Sequence, residues 1–172
     1  LHLGSRRHVF LDDALIDKRQ DVAFRVHQPE RVVTNFRVDR EWEPGARFGP
    51  GVPDVQSVFR VDGQFAMIYS SGTMWSGKRQ ATCLALSEDG VCWTKPGVGL
   101  MPWNGRTDNN IVLMDDAQGS VLEDPHPSTP EHRFLYVAWQ MQRGVYVYTS
   151  PDLRRWRRNE TLALPFDTGG GV

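Results

Sequence analysis

Two aspartates occupy matched places in this sequence. Asp54 lies 11 residues before Phe65 and Asp124 lies 10 before Phe134, and each phenylalanine opens an apolar, strand-like run. Carboxylates brought together can divide acid–base work, because like charges raise one pKa and leave one group a proton donor while the other stays ionised. Asp167, in Phe166-Asp167-Thr168, is placed to open a third such run. Asp124 also precedes Pro125, which reads equally as plain turn initiation. Asp12-Asp13 reads as an edge strand entering a turn, and Asp115-Asp116, before Ala-Gln-Gly, as a solvated loop. His126, two residues past Asp124, can bond a ligand hydroxyl, while His27, His126 and His132 share no metal-ligand spacing. Trp42, Trp75 and Trp103 offer flat apolar platforms for a ligand ring, or wedges between sheets. No nucleophile triad, phosphate-binding loop or zinc pattern is visible, and no cofactor or metal is expected.

The elements that must position these groups repeat. Asp54–Tyr69 followed by Gln80–Lys95 is echoed by Glu123–Pro127, Arg133–Gln140 and Gly144–Arg157. Both copies end in Ser-x-Asp-x-x-x-Trp, at Ser87/Asp89/Trp93 and Ser150/Asp152/Trp156. Ser and Asp can bond nearby backbone N–H groups in a turn, after which the chain reverses into a strand whose Trp covers the hairpin. Copies about sixty residues apart, each with room for four strands, predict an all-β fold of the propeller kind. The boundaries expected are residues 1–49 for N-terminal strands and loop, 50–103 and 109–162 for two four-stranded antiparallel blades, and 163–172 for the start of a third. Asn104-Gly105 and Asp108-Asn109-Asn110 fill the joint with turn residues. Lys18–Val26 is the nearest approach to a helix and reads equally well as strand. Two blades do not close a ring, so the rest of the propeller is expected beyond Val172.

Composition excludes some partners. The 172 residues carry 20 Lys plus Arg against 21 Asp plus Glu, so no overall positive field exists to hold nucleic acid. The run Arg154, Arg155, Arg157, Arg158 is split by Trp156, and strand alternation sends its side chains to two faces. No apolar run approaches the ~20 residues of a membrane span, so no membrane partner is expected. Cys83 and Cys92 would lie diagonally across one hairpin, and two free thiols are expected. The opening residues show no signal-peptide pattern. Because the first residue is Leu1, an upstream segment is expected to have been removed, which leaves a secreted or periplasmic location open.

Phe10–Ile16, His27-Gln-Pro29, Glu41-Trp42-Glu43, Ala85–Pro96, Asn104–Val112 and Phe166–Thr168 occur in an order that resembles a group of bacterial glycosidase-like proteins. That group is similar to the five-bladed furanosidase propellers of glycoside hydrolase families 32, 43 and 68. The resemblance implies a partial five-bladed propeller whose channel mouth gathers three carboxylates, each near the start of an innermost strand, to hydrolyse a glycosidic bond. It makes Asp54, Asp124 and Asp167 the catalytic candidates. Asp124 sits in Glu-Asp-Pro, similar to an Arg-Asp-Pro motif whose Asp stabilises the transition state, although Glu123 stands where that Arg would be. Trp42, Trp103 and His126 become candidates for holding a carbohydrate substrate. Two alternatives stand beside hydrolysis: a non-catalytic carbohydrate-binding propeller, and a structural propeller that holds protein.

Overall fold

Alternation of apolar and polar residues, punctuated by Asp-Gly and Ser-x-Asp turns, builds two antiparallel sheets. The structure, a computed structural model, describes residues 5, 12, 16–30, 35–43, 53–71, 80–140, 143–160 and 163–165. By its contacts the chain divides into Leu1–Arg31 and Val32–Val172. In the first unit, residues 16–30 form neither helix nor strand, so the Lys18–Val26 reading is corrected: its apolar residues Val22, Phe24 and Val26 are exposed. Asp12 is exposed, and Asp13 lies outside the described residues.

In the second unit, the first sheet runs β1 (Asp54–Val61), β2 (Gln64–Ser71) and β3 (Ala81–Ser87), with β4 (Trp93–Thr94) and β5 (Ile111–Leu113) sharing the far edge of β3. The second sheet runs β6 (Ala117–Glu123), β7 (Phe134–Gln140) and β8 (Gly144–Ser150), with β9 (Arg157–Arg158) and β10 (Leu164–Pro165) on the far edge of β8. The two topologies are the same. Ser87 pairs with Phe65 and Ser150 with Phe134, so the repeats align Phe65 with Phe134 and Ser87 with Ser150. Each outer position is filled by two short strands rather than one, interrupted by residues 95–110 in the first sheet and by residues 159–163 in the second. Leu164–Pro165 pairs with the second sheet, as Ile111–Leu113 pairs with the first, and residues 166–172 of the expected third blade lie outside the described residues. The one helical element among the described residues is a 3-10 turn at Pro130–His132.

Alternate residues of the first sheet meet the second. Ala66, Ile68 and Leu84 share one core cluster with Phe134, Tyr136, Ala138 and Tyr148. The opposite face of the first sheet, with Met67, Tyr69, Cys83 and Ala85, is covered by Phe36, Trp42, Met101 and Trp103. β2 and β3 are thus buried on both faces. Gly119 pairs with Ala138 between β6 and β7, and a Cβ there would clash with the Val137 carbonyl oxygen. Cys83 is buried, Cys92 is exposed, and the two are not joined by a disulfide.

The Ser-x-Asp-x-x-x-Trp device takes the same form twice. Asp89 Oδ1 accepts from the N–H groups of Val91 (2.8 Å) and Cys92 (2.7 Å), and Asp152 Oδ1 accepts from those of Arg154 and Arg155, both at 2.9 Å. The backbone N–H groups of Cys92 and Val91 hold the Asp89 carboxyl down to about 2. Trp93 Nε1 donates to the Gly90 carbonyl at 3.1 Å and Trp156 Nε1 to that of Leu153 at 3.0 Å. Leu153 adopts the left-handed conformation (φ 63°) that Gly90 adopts (φ 76°) at the same repeat position.

Candidate functional site

Of the three acids expected at one channel mouth, the two that the structure describes, Asp54 and Asp124, lie at opposite ends of the sheets. Asp54 opens β1, half-buried, and its Oδ2 accepts from Gln118 Nε2 at 2.8 Å. Asp124 follows the last residue of β6, at the other end of the sheets. Gln118 meets Asp54 and Val121 N donates to Ser57 Oγ, so β1 and β6 run alongside in the same direction. Asp124 then lies about six residues further along, roughly 20 Å at strand rise. The reason is loop length. β1 and β2 are joined by Asp62-Gly63 alone, whereas residues 124–133 join β6 to β7. Counting back by similar offsets from Phe65 and Phe134 therefore lands at opposite ends. Asp167 and Trp75 lie outside the described residues.

Asp124 is a turn residue, with Oδ1 accepting from the His126 N–H at 2.8 Å. His126 is exposed. Beside them Arg133 bridges Asp62 and Glu123, which ties the two sheets at this end. The Arg133 guanidinium, hydrogen-bonded to Asp62, holds that carboxyl below the usual range.

At the Asp54 end the polar groups are numerous and mostly occupied with one another. A β-bulge leaves Gln56 outside the ladder, and its amide bonds Ser70 Oγ and the Tyr136 hydroxyl. Asp115, expected to be solvated, instead accepts from the Tyr148 hydroxyl at 2.6 Å and from Arg158 Nη1 at 3.2 Å. Burial, then the Asp115 carboxylate, pushes the Tyr148 hydroxyl up. Asp116 Oδ1 accepts from the Gln80 backbone N–H at 2.6 Å. The repeat position of Asp54 in the second sheet is taken by Gln118, since Asp54 pairs with Ser70 and Gln118 with the equivalent Trp139. An amide thus stands where a second inner-strand acid was sought.

A different pair of expected residues does converge. Trp42 and Trp103 line one cleft of about 240 Å³ together with Asp39, Arg40, Glu41, Arg106, Asp108 and Asn109. The sequence builds it from two turns. Asn104 (φ 48°) and Gly105 (φ 78°) form a two-residue reversal in which Trp103 and Arg106 exchange backbone hydrogen bonds of 2.8 and 2.9 Å. That pairing sets the indole and the guanidinium side by side. Asn109 Nδ2 pins the reversal by donating to the Met101 carbonyl at 2.7 Å. On the other wall, Glu43 folds residues 39–43 into a turn by accepting from the N–H groups of Asp39 (2.8 Å) and Arg40 (2.9 Å).

Glu43 also fixes this wall to the sheet. Its buried carboxylate accepts from the Tyr69 hydroxyl at 2.5 Å and from Lys95 Nζ at 2.7 Å. Burial above all pushes the Tyr69 hydroxyl up, so it stays a neutral donor. Asn110 completes the brace by accepting from Trp42 Nε1 at 2.8 Å and donating to the Tyr69 hydroxyl at 2.7 Å. Trp42 is thereby held in one orientation. Trp103 Nε1 is buried without a hydrogen-bond partner. Sequence reasoning singled out both tryptophans but missed Arg106, Asp108 and the Glu43 brace. The Asn104-Gly105 reversal was the signal that places Arg106 beside Trp103.

Among the described residues no group of three or more His, Cys, Asp or Glu side chains is placed to hold a metal ion. No helix among them is long and apolar enough to cross a membrane. Compared with known proteins, the chain matches no family model, no curated protein and no solved structure.

Proposed function

We propose that this chain binds carbohydrate in the Trp42–Trp103 cleft, on a propeller-type arrangement of sheets. The observation that carries the binding reading is the convergence of two half-buried indoles with arginine and carboxylate side chains in one cleft. A sugar ring offers an apolar face to an indole and a rim of hydroxyls to charged hydrogen-bonding groups, so it matches both halves of this lining. Trp42 is pre-oriented by Asn110, which lowers the ordering cost of binding.

The propeller reading rests on repeat equivalence. Ala66, Ile68 and Leu84 form the face of the first sheet that the second sheet covers. Their counterparts in the second sheet are Leu135, Val137 and Val147. Val137 is 40 % exposed where Ile68 is fully buried. A third sheet of the same repeat is the cover proposed for that face, and continued stacking of this kind leads to a propeller.

Glycoside hydrolysis is the second reading, favoured by the carboxylate of Asp54 at the opening of the innermost strand. It needs a further acid near Asp54. Asp167 is the candidate left for that place, whereas Asp124 serves as a turn residue on the far side.

Tryptophan fluorescence tests the binding reading directly. Titration with a panel of gluco-, xylo-, manno-, galacto- and fructo-oligosaccharides should shift the emission for at least one of them. Trp103→Ala should weaken that affinity about tenfold or more, the size expected for losing one aromatic contact and its buried area. Unchanged affinity in a folded Trp103→Ala protein removes the cleft from consideration.

A further inference from the structure

Resting on the reading of the Trp42–Trp103 cleft as a carbohydrate site, we infer that it selects uncharged sugars and rejects acidic ones. The lining carries three carboxylates, Asp39, Glu41 and Asp108, against two guanidiniums, Arg40 and Arg106. Both guanidiniums are already engaged. Arg106 forks onto Asp108, with Nε–Oδ1 at 3.0 Å and Nη2–Oδ2 at 2.6 Å, and Arg40 Nε lies 3.5 Å from Asp39 Oδ1. Lys95, which reaches Asp39 of this lining, is spent on Asp39 at 3.0 Å and Glu43 at 2.7 Å. Glu41 is left as the carboxylate in excess. The Arg106 and Lys95 hydrogen bonds hold Asp108 and Asp39 below the usual carboxylate range, which keeps those two carboxylates paired with their cations.

Such a lining suits hydroxyls. A hydroxyl both donates and accepts, so it can give its proton to a carboxylate oxygen and take one from an N–H that the Arg–Asp fork leaves free. A uronate or sulfate group can only accept. It would have to displace Asp108 from Arg106 and then sit beside the displaced carboxylate and Glu41, a like-charge arrangement that discriminates by repulsion.

Two related ligands decide the matter: the neutral oligosaccharide that binds best in the panel, and the same oligosaccharide with its primary hydroxyls oxidised to carboxylates. Isothermal titration should show the oxidised form at least about tenfold weaker, equivalent to roughly 1.4 kcal/mol. Glu41→Gln should narrow that gap several-fold, with an unchanged thermal melt confirming the fold. Equal or tighter binding of the oxidised form, or a gap that ignores Glu41→Gln, overturns the inference and leaves the carbohydrate reading standing. If no oligosaccharide binds, the carbohydrate reading itself fails.

Discussion

Asp54 and Gln118 face each other from equivalent places in the two sheets, and their chemistry separates the two functional readings. Asp54 is used as an acceptor by the Gln118 amide, a role that suits a nucleophile or base. Hydrolysis of a glycosidic bond needs a second carboxyl to donate a proton, and an amide cannot supply one. Where two acids cooperate, they stand ~5–5.5 Å or ~6.5–9.5 Å apart, and Asp124 lies well beyond that range on the opposite end of the sheets. We therefore expect no turnover of aryl glycosides that depends on Asp54, with Asp54→Asn leaving glycan affinity at the tryptophan cleft unchanged. Steady-state release of a nitrophenol is the measurement. Turnover that falls by ~10²–10⁴ in Asp54→Asn, the usual size of one acid–base contribution, would reinstate the hydrolytic reading and require its acid partner to be found.

The hairpin that joins the third strand to the outer edge shows how far local sequence determines an element. Ser87, Asp89 and Trp93 share with Ser150, Asp152 and Trp156 the bonds from the Asp N–H to Ser Oγ, from two N–H groups to Asp Oδ1 and from the indole to a carbonyl, because each spans only two or three residues and no distant neighbour is needed. The position after the Asp is Gly90 in one copy and Leu153 in the other, both left-handed. Leucine in that region costs about 1–2 kcal/mol of backbone strain, and the burial of its side chain in the inter-sheet core offsets it. Leu153→Ala keeps the strain and loses the packing, so it should lower the urea-unfolding free energy by about 2–5 kcal/mol. Gly90→Ala meets only ordinary contacts with the Phe65 ring, at 3.6 Å and beyond, and should cost no more than the strain alone. Equal costs for the two would show that Leu153 is not a core residue. The repeat and the all-β class were legible for the same local reason. The cleft was less so. Trp42 and Trp103 were each visible as apolar platforms, but nothing in spacing joins residues 39–42 to residues 103–109; Glu43, Tyr69 and Asn110 do that across the sheet. The acid pairing was misread because similar offsets from Phe65 and Phe134, 11 and 10 residues, hid a two-residue turn in one sheet and a ten-residue loop in the other. Asp115 looked solvated because Tyr148 and Arg158, which hold it, come more than thirty residues later.

At the scale of the molecule, the two sheets are copies placed in unequal surroundings, and that inequality can be measured. Ile68 and Val137 hold the same repeat position, the one fully buried against the second sheet and the other 40 % exposed on the second sheet's outer side. Leu122, the counterpart of Phe59, is likewise 49 % exposed, although Phe59 packs within 6.0 Å of the Phe134 ring centroid. A second copy of this chain is poorly shaped to cover this face. The matching surface on the first sheet, around Met67, Tyr69 and Ala85, is already occupied by Phe36, Trp42 and Trp103. A lysine at position 137 can extend into water, so Val137→Lys in the 172-residue chain should change the unfolding free energy by no more than about 0.5 kcal/mol. Ile68→Lys buries an unpaired charge between the sheets and should prevent folding, or cost well over 4 kcal/mol. The contrast disappears wherever a third sheet of the repeat follows. In such a longer chain Val137→Lys should become as damaging as Ile68→Lys, because the same position is then covered in the same way. If Val137→Lys instead destabilises the 172-residue chain by several kcal/mol and sedimentation velocity shows the parent to be a discrete dimer, then a second copy covers the face and the stacked-sheet reading gives way.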